Sequence, residues 1–298
     1  MKNDSVISII IPFYKGNRYL KQLVSMLNIN YINFIKEYPD MGMEIIIVND
    51  SPEESVEIES DIFDFRLQII TNVSNSGIHQ SRVNGLKYCV GDYVIFLDQD
   101  DVLEDNALTE QFKRAKNNSA DIVVCNALIE EKNGRLVLYY KSKVDFERVN
   151  DLEFYLKSHN VIKSPGQCLI KKSCIPIEWK TNIVKNNGSD DLFLWILLLE
   201  KSYKFIINEI PLYIHKYTGE NLSDSDDKMN SSSLEIADFL EKVDYVPQTD
   251  IDTLREARKL SLELKSDSVL KKAIAIAKYR ELFIYLCVNK IKKWVQRK

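Results

Sequence analysis

The sequence has no long hydrophobic run, no closely spaced cysteine pair and no strong excess of either charge. Its five cysteines are scattered without C-x-x-C spacing: Cys89, Cys125, Cys168, Cys174 and Cys287. An odd number of unclustered cysteines is typical of reduced thiols in the cytosol rather than of a disulfide framework. The same spacing gives no indication of a zinc site.

The apolar segment nearest the N-terminus, residues 6–11, is too short for a signal peptide or a membrane span. Residues 1–5 before it lack the basic region of a signal peptide. The net charge of −4 gives no reason to expect nucleic acid as a partner. We therefore expect a cytoplasmic protein, and 298 residues suit one large domain with a smaller appendage.

Short β-branched runs alternate with segments of helical periodicity through the first 125 residues. The runs predicted as strands are 6–11, which Pro12 closes, then 44–48, 67–70, 93–97 and 121–125. The segments between them carry apolar residues at helical spacing. This alternation predicts βαβ units and a mostly parallel central sheet with helices on both faces.

The second half of the sequence is less regular. We predict a strand over 165–171, a helix buried on every face over 192–199, and two closing strands over 204–208 and 212–217. The polar segment 221–233 then predicts a domain boundary, after which the pattern is helical. The sequence thus predicts an α/β domain over 1–223 and a C-terminal helical extension over 224–298.

Three carboxylates, Asp98, Asp100 and Asp101, follow directly after the predicted strand 93–97. In open α/β sheets, ligands bind outside the carboxyl ends of the strands. Carboxylate oxygens at such an end suit a hard cation and a phosphate that it carries. A D-x-D pattern alone is also typical of a solvated turn with an Asp N-cap for the next helix.

Several motifs occur together with this acidic cluster. In chain order they are Ser8-Ile9-Ile10-Ile11-Pro12-Phe13-Tyr14, Ile47-Val48-Asn49-Asp50-Ser51, Asn75-Ser76-Gly77, Arg82-Val83-Asn84-Gly85, the segment 91–101, and Asp190-Asp191 before a tryptophan-containing helix. In this order they resemble the family 2 glycosyltransferases of GT-A fold, the fold of nucleotide-diphospho-sugar transferases. The resemblance covers residues 5 to about 223 and does not extend to the C-terminal helices.

The resemblance implies an inverting transfer of a sugar from a nucleoside diphosphate donor, with UDP-sugar as the expected class, to an acceptor hydroxyl. It also implies Mg²⁺ or Mn²⁺ as cofactor, because a divalent ion held by carboxylates neutralises a leaving diphosphate. By similarity, Asp100 is expected to bind the metal, and Asp98 to contact the donor ribose or the metal. Asp101 is expected to support them.

The resemblance places the other donor contacts on three further segments. Asp50 is expected to accept a hydrogen bond from the base, and Arg82 to lie near the base or the diphosphate. Pro12 and Tyr14 belong to the loop expected to cover the nucleoside. Gln99, in the middle of the D-x-D motif, is also assigned to donor binding.

Inversion needs one displacement and therefore a base opposite the leaving group; Asp191 is the candidate. Asp190 stands where the family more often has Glu, and is expected to begin the helix or orient the acceptor. Taken alone, the pair is also typical of an N-cap with a first-turn acid. His215 is a candidate for the metal or diphosphate, although a single histidine in a strand is more often a hydrogen-bonded core residue.

The last segment, residues 278–298, combines apolar residues at helical spacing with seven Lys or Arg and one acid, Glu281. Such a helix can lie in an anionic membrane interface with Trp294 at the level of the headgroups. The alternative is a helix that packs on the catalytic domain with a solvated basic end. The first interpretation predicts peripheral contact with the inner face of the cell membrane.

Three other functions fit parts of the pattern. A nucleotidyltransferase of related fold needs a glycine-rich phosphate loop, whereas residues 12–17 offer only Gly16 and Lys15. A glycoside hydrolase needs two carboxylates flanking the scissile bond. A non-catalytic sugar-nucleotide-binding module is a further alternative. The expected acceptor is a saccharide or a lipid-linked hydroxyl in bacterial polysaccharide synthesis.

Overall fold

The computed structural model of the chain describes residues 5–58, 63, 65–186, 188–219 and 226–295. The chain divides into two compact units. The first comprises Met1–Tyr139, Ile162–Ile175 and Tyr203–Asn221, and the second comprises Tyr140–Val161, Pro176–Ser202 and Leu222–Lys298. The boundary expected between 223 and 224 falls outside the described residues, and it stays a prediction.

The first unit holds the strands and three helices. They are β1 (Ser5–Phe13), α1 (Asn17–Glu37), β2 (Met41–Asn49), β3 (Arg66–Thr71), α2 (Ile78–Leu86), β4 (Tyr93–Phe96), β5 (Val102–Leu103), α3 (Ala107–Asn118), β6 (Ile122–Glu130), β7 (Leu136–Leu138), β8 (Cys168–Lys171) and β9 (Phe205–His215). Two 3₁₀ turns, Pro165–Gln167 and Lys172–Cys174, flank β8. All five strands predicted within the first 125 residues are present.

The strands form one sheet in the order β3-β2-β1-β4-β8-β6-β9-β5, with β7 beside β6. Parallel pairing joins β3 to β2, β2 to β1, β1 to β4 and β6 to β9. The four antiparallel pairings involve only two or three residue pairs each. The prediction of a mixed α/β fold with a mostly parallel sheet is therefore confirmed.

Helices cover both faces of β1. Ile9 and Ile11 point into a core that includes Phe34 of α1 and Phe112 of α3. Ile10 points to the opposite face, because successive side chains of a strand alternate. There it meets α2 at Gly85, where an added Cβ would lie 2.4 Å from Ile10 Cγ2. The glycine thus permits the close approach of α2 to the sheet.

The structure corrects the expected end of the first strand, since β1 runs through Pro12 to Phe13. Ile10 O accepts a hydrogen bond from Leu97 N at 3.0 Å, and Phe13 O accepts one from Asp50 N at 2.7 Å. The backbone N–H and C=O groups of successive residues in β1 point alternately towards β4 and β2. The backbone groups of Pro12 therefore point towards β4, like those of Ile10. Its missing N–H therefore removes no hydrogen bond between β1 and β2.

Two further strand predictions were wrong in detail. The strands predicted over 204–208 and 212–217 are one strand, β9, whose register with β6 shifts around Asn126 where it faces Pro211. A proline is tolerated in a strand at such an irregularity. The strand predicted over 165–171 is confined to β8, because Ser164 and Gln167 form a capping box that winds Pro165–Gln167 into a 3₁₀ turn.

Helices make up the second unit. They are α4 (Lys143–Glu147), a 3₁₀ turn (Arg148–Asn150), α5 (Leu152–Lys157), α6 (Ile177–Thr181), α7 (Asp190–Glu200), α8 (Asp226–Leu240), α9 (Gln248–Glu263), α10 (Val269–Lys278) and α11 (Arg280–Val295). As predicted, the apolar octet is helical, and residues 192–198 within α7 are all buried.

The C-terminal helices contribute their own apolar cluster to the second unit. Leu260 of α9, Ala275 of α10 and Leu282 of α11 are buried together with Tyr279 between the last two helices. One side of α11 is therefore committed to packing within this unit. Among the described residues, no helix is long and apolar enough to cross a membrane.

Candidate active site

Four loops leave the same edge of the sheet in the first unit, because β3, β2, β1 and β4 are adjacent and parallel. They are the segments 14–16, 50–52, 72–77 and 97–101. Hydrogen bonds connect the loop after β1 to the loops after β2 and β4, and the loop after β2 to the loop after β3. The structure thus brings together the four segments that the sequence places at one edge.

Asp50 lies at the centre of this edge and is buried. Its Oδ1 accepts hydrogen bonds from Asn72 Nδ2 at 2.8 Å and from Ser76 N at 2.7 Å. Its Oδ2 accepts one from Gly77 N at 2.8 Å. The Asp50 carboxylate therefore fixes the loop between β3 and α2. The predicted contact of Asp50 with the donor base stays a prediction.

Arg82 of α2 and Asp98 after β4 form an ion pair with Arg82 Nη2 2.6 Å from Asp98 Oδ1. Asp98 Oδ2 accepts a hydrogen bond from Ser164 Oγ at 3.1 Å. Burial raises the pKa of the Asp98 carboxyl, and the charge of Arg82 opposes that shift. Arg82 and Asp98, two of the residues predicted to contact the donor, therefore lie together.

Asp100 is half-buried beside two other carboxylates. Burial raises the pKa of Asp100 to about 7, and the charges of Asp101 and Asp98 add to the shift. Asp100 forms no ion pair with any residue in the described part of the chain. Negative charge is thus concentrated here without full compensation by the protein.

Asp101 is buried and connects this loop to the end of β9. Tyr213 Oη donates a hydrogen bond to Asp101 Oδ2, and Lys216 N donates one to Oδ1 at 2.8 Å. His215 Nδ1 lies 3.2 Å from Asp101 Oδ2. These contacts fit the supporting role expected of Asp101, and they place His215 at the acidic cluster as a hydrogen-bonded residue.

The acidic cluster offers a limited set of protein ligands for a divalent cation. No group of three or more His, Cys, Asp or Glu that could hold a metal ion is present among the described residues. Mg²⁺ in phosphate-transfer sites is usually held by one or two carboxylates plus the phosphates of the substrate. The partly buried Asp100, with Asp98 beside it, fits that mode of binding.

Asp190 and Asp191 begin α7 in the second unit. The turn before them is held by α8: Lys185 N and Asn186 N donate to the Glu235 carboxylate at 2.9 and 3.2 Å. Asp191 Oδ2 accepts a hydrogen bond from Asn160 Nδ2 at 2.6 Å. Both aspartates thus occupy the first turn of the helix, as either interpretation of the sequence requires.

The two aspartates differ in exposure. Asp190 is buried, and its backbone carbonyl accepts a hydrogen bond from Trp179 Nε1 at 2.8 Å. Asp191 is half-buried, and its Oδ1 also accepts from Leu192 N at 2.7 Å. Asp191 is therefore the more exposed member of the pair.

The model of glycosyl transferase family 2 matches residues 8–173, more than half of the chain. The chain belongs to this family. Three curated relatives that are 27 to 35% identical to this family 2 chain match it over 113 to 153 residues. The chain spans only 20 to 46% of their length.

One longer match is to the poly(ribitol-phosphate) β-N-acetylglucosaminyltransferase TarP of Staphylococcus aureus. The two proteins are 26% identical over 218 residues, which cover 70% of this chain and 62% of TarP. TarP is thus a relative of this family 2 chain over most of its length.

Solved structures resemble the fold. TarS of S. aureus in complex with UDP-GlcNAc superposes with a TM-score of 0.58 at 17% identity, covering 93% of this chain and 81% of that one. The mannosyltransferase PcManGT of Pyrobaculum calidifontis, in complex with GDP-Man and Mn²⁺, has a TM-score of 0.57 at 12% identity. That match covers 96% of this chain and 79% of the mannosyltransferase. The GT-A fold predicted for this family 2 chain is confirmed.

Three residues of the family 2 site were missed in the sequence. Asn72 binds Asp50, Ser164 binds Asp98, and Tyr213 binds Asp101. Ser164 carries a local signal, because Ser-Pro-Gly-Gln is a capping-box pattern. Asn72 and Tyr213 carry none, since their partners are 22 and 112 residues away in sequence.

Proposed function

We propose that the chain is an inverting glycosyltransferase that moves a sugar from a nucleoside diphosphate donor to an acceptor hydroxyl. The observation that carries this proposal is the clustering of Asp98, Asp100 and the buried Arg82 at the edge of a family 2 fold where the Asp50 loop also ends. Carboxylates for a cation and an arginine for phosphate are the groups that a diphosphate needs.

Asp50 has the acceptor capacity for one contact with the base. A carboxylate offers about four lone-pair positions, and the loop at 72–77 uses three of them. The remaining position on Oδ2 suits the imide N–H of a uracil-like base. Pro12 and Tyr14 flank the same edge, and the exposed ring of Tyr14 is available to cover a nucleoside.

Asp100 would hold Mg²⁺ or Mn²⁺, with Asp98 as second ligand or as a contact of the ribose. Such an ion, when bound, neutralises charge on the leaving diphosphate. The complex of the structurally similar mannosyltransferase with Mn²⁺ supports this assignment. Asp101 keeps His215 next to these carboxylates, where the imidazole is proposed to approach the metal or the diphosphate.

Asp191 is proposed as the general base. The acceptor oxygen forms a bond to the anomeric carbon as the bond from that carbon to the diphosphate oxygen breaks, and the hydroxyl proton passes to Asp191. A single displacement of this kind inverts the anomeric centre. Asp190 is proposed to hold the helix end, since its side chain is buried.

The acceptor is proposed to be a saccharide or lipid-linked hydroxyl in bacterial polysaccharide synthesis, on the cytoplasmic side of the membrane. The name of the relative TarP, which transfers N-acetylglucosamine to a ribitol-phosphate polymer, supports a polymeric acceptor. UDP-GlcNAc and GDP-Man are both bound by structural neighbours, so the identity of the donor nucleobase needs its own test.

Thermal unfolding with UDP, GDP, TDP and CMP, each with and without Mn²⁺, tests the donor site. One diphosphate nucleotide is expected to stabilise the protein saturably and more strongly with the metal than without it, by about 2.7 kcal/mol at a hundred times its Kd. UDP is the expected nucleotide. An unchanged melting temperature with all four nucleotides in Mn²⁺ would contradict the proposed function.

We also propose that the C-terminal helices contact an anionic membrane surface. Ile284, Val288 and Ile291 are spaced by four and three residues along α11 and are 42 to 61% exposed. Residues 269–298 hold nine Lys or Arg and one acid, whereas the preceding 268 residues hold 31 Lys or Arg and 43 Asp or Glu. An apolar stripe within a basic segment of an otherwise acidic chain fits an interfacial helix.

The triple variant Ile284→Ser, Val288→Ser and Ile291→Ser is expected to lose binding to phosphatidylserine vesicles in a co-sedimentation assay. Deleting everything after residue 277 is the blunter test, because it also removes Tyr279 and Leu282 from the apolar cluster of the second unit. The exposed residues Val73 and Ile177, each changed to Ser, provide a matched control that should still bind. Undiminished binding of the triple variant would exclude the interfacial helix.

A further inference from the structure

Gln99 joins the loop after β1 to the carboxylates after β4. Its side-chain Oε1 accepts a hydrogen bond from Tyr14 N at 2.9 Å, and its Nε2 donates one to Tyr14 O at 3.0 Å. Both polar atoms of the Gln99 amide therefore form hydrogen bonds with the backbone of a single residue, Tyr14. Gln99 is the middle residue of the D-x-D motif and is predicted from the sequence to bind the donor.

Gly16 fits closely against this amide. A Cβ at position 16 would lie 2.4 Å from Gln99 Oε1 and 2.8 Å from the ring of Phe13. The preceding residue, Lys15, has a φ of 47°, so the backbone turns sharply between Tyr14 and Gly16. The loop can thus approach Gln99 only because residue 16 has no side chain.

The same loop has a second attachment on the other side. Lys15 N donates a hydrogen bond to Ser51 Oγ at 3.1 Å, and Ser51 follows β2. Among the described residues, it is Gln99 whose hydrogen bonds connect the loop to the acidic cluster, because Gln99 is the direct neighbour of Asp98 and Asp100. The two attachments can therefore be separated by mutation.

We infer that Gln99 is a positioning residue that couples the nucleoside loop, residues 14–16, to the carboxylates proposed to hold the cation. The inference rests on the proposed function and deepens it. A cation that orders Asp98 and Asp100 also orders Gln99, and through it the backbone of Tyr14. Nucleotide and cation consequently bind with positive coupling, each increasing the affinity for the other.

Calorimetric titration of UDP and GDP with and without Mn²⁺ measures this coupling as the ratio of the two dissociation constants. Gln99→Met keeps the size of the side chain and removes both hydrogen bonds, so the affinity in Mn²⁺ is expected to fall about ten-fold. The affinity without Mn²⁺ is expected to fall less, so that the ratio of the two dissociation constants decreases. Gln99→Glu keeps an acceptor for Tyr14 N but places a carboxylate oxygen against Tyr14 O. Its nucleotide affinity in Mn²⁺ should fall at least as much as that of Gln99→Met.

Ser51→Ala is the matched control, because it removes the other attachment of the loop and leaves Gln99 intact. It is expected to weaken nucleotide binding equally with and without Mn²⁺, which leaves the ratio unchanged. Gly16→Ala should reproduce the loss of Gln99→Met, and the double variant should be no worse than either single one. A Gln99→Met protein with the wild-type ratio would overturn the inference.

Hydrogen exchange of the Tyr14 amide provides a measurement that needs no ligand. In the nucleotide-free protein this amide is expected to exchange about ten-fold faster in Gln99→Met than in the wild type. Weakened nucleotide binding with unchanged Tyr14 exchange would mean that Gln99 contacts the donor directly, and would overturn the positioning role. Failure of the wild type to bind any nucleotide would instead contradict the proposed function, while the exchange measurement would still report on the contact.

Discussion

Replacing Asp191 with Asn is expected to slow sugar transfer by about 10² to 10⁴-fold, the usual range for loss of a general base. The amide keeps the shape of the side chain, and its single oxygen can accept a hydrogen bond from either Asn160 Nδ2 or Leu192 N, but not from both. It cannot take a proton from the acceptor at neutral pH. The rate of transfer and the calorimetric affinity for the donor nucleotide, measured on the same preparation, should therefore separate, with affinity unchanged.

The competing interpretation of Asp191 is a first-turn acid that only stabilises α7 through the helix dipole. That effect amounts to about 0.3–1 kcal/mol of the free energy of unfolding. Glu110 occupies the first turn of α3, so Glu110→Gln is a matched control with the same loss of charge at a helix start. Both variants should lose this dipole contribution, and Asp191→Asn should lose one side-chain hydrogen bond in addition, but only Asp191→Asn should lose activity. Normal turnover of the Asp191→Asn protein would show that Asp191 is not the general base.

Local patterns in the sequence predict the strands of the first unit well. Residues 6–11, apart from Ser8, and residues 45–48 are all β-branched, and such runs fit buried parallel strands better than any other element. Pro12 misleads this reasoning, and Pro211 lies within a strand that the prediction divides in two. Whether a proline ends a strand depends on the neighbour that its backbone faces and on the register, and both are properties of the sheet rather than of the local sequence.

The same limit applies to the candidate site. A strand followed by Asp98, Asp100 and Asp101 predicts an acidic edge, but it cannot distinguish the roles of the three carboxylates. Their partners come from distant segments: Arg82 and Ser164 for Asp98, and the end of β9 for Asp101. The family resemblance, not the local pattern, assigns Asp100 to the metal, and Asp100 has no ion-pair partner of this kind in the described part of the chain.

Replacing Asp100 with Ala is expected to abolish the metal-dependent part of nucleotide binding and to reduce transfer by roughly 10³-fold, since a bound cation contributes several kcal/mol to stabilising a leaving diphosphate. The exposed Asp105 lies on the same segment, and Asp105→Ala is the matched control that should retain both properties. Nucleotide titrations with increasing Mn²⁺ measure the effect directly. A Mn²⁺ response as large as in the wild type would show that Asp100 is not a ligand.

In the protein without bound metal, loss of the Asp100 carboxylate should increase the thermal stability, although it decreases nucleotide binding and transfer. The pKa of Asp100 is raised to about 7 in the folded protein, so its charged form destabilises the fold above pH 7. Asp100→Asn should therefore melt at a higher temperature than the wild type at pH 8. The difference should shrink as the pH falls from 7 towards the pKa of an unfolded aspartate, about 3.9. A variant that is more stable but no longer responds to Mn²⁺ would identify Asp100 as a residue retained for ligand binding at the expense of stability.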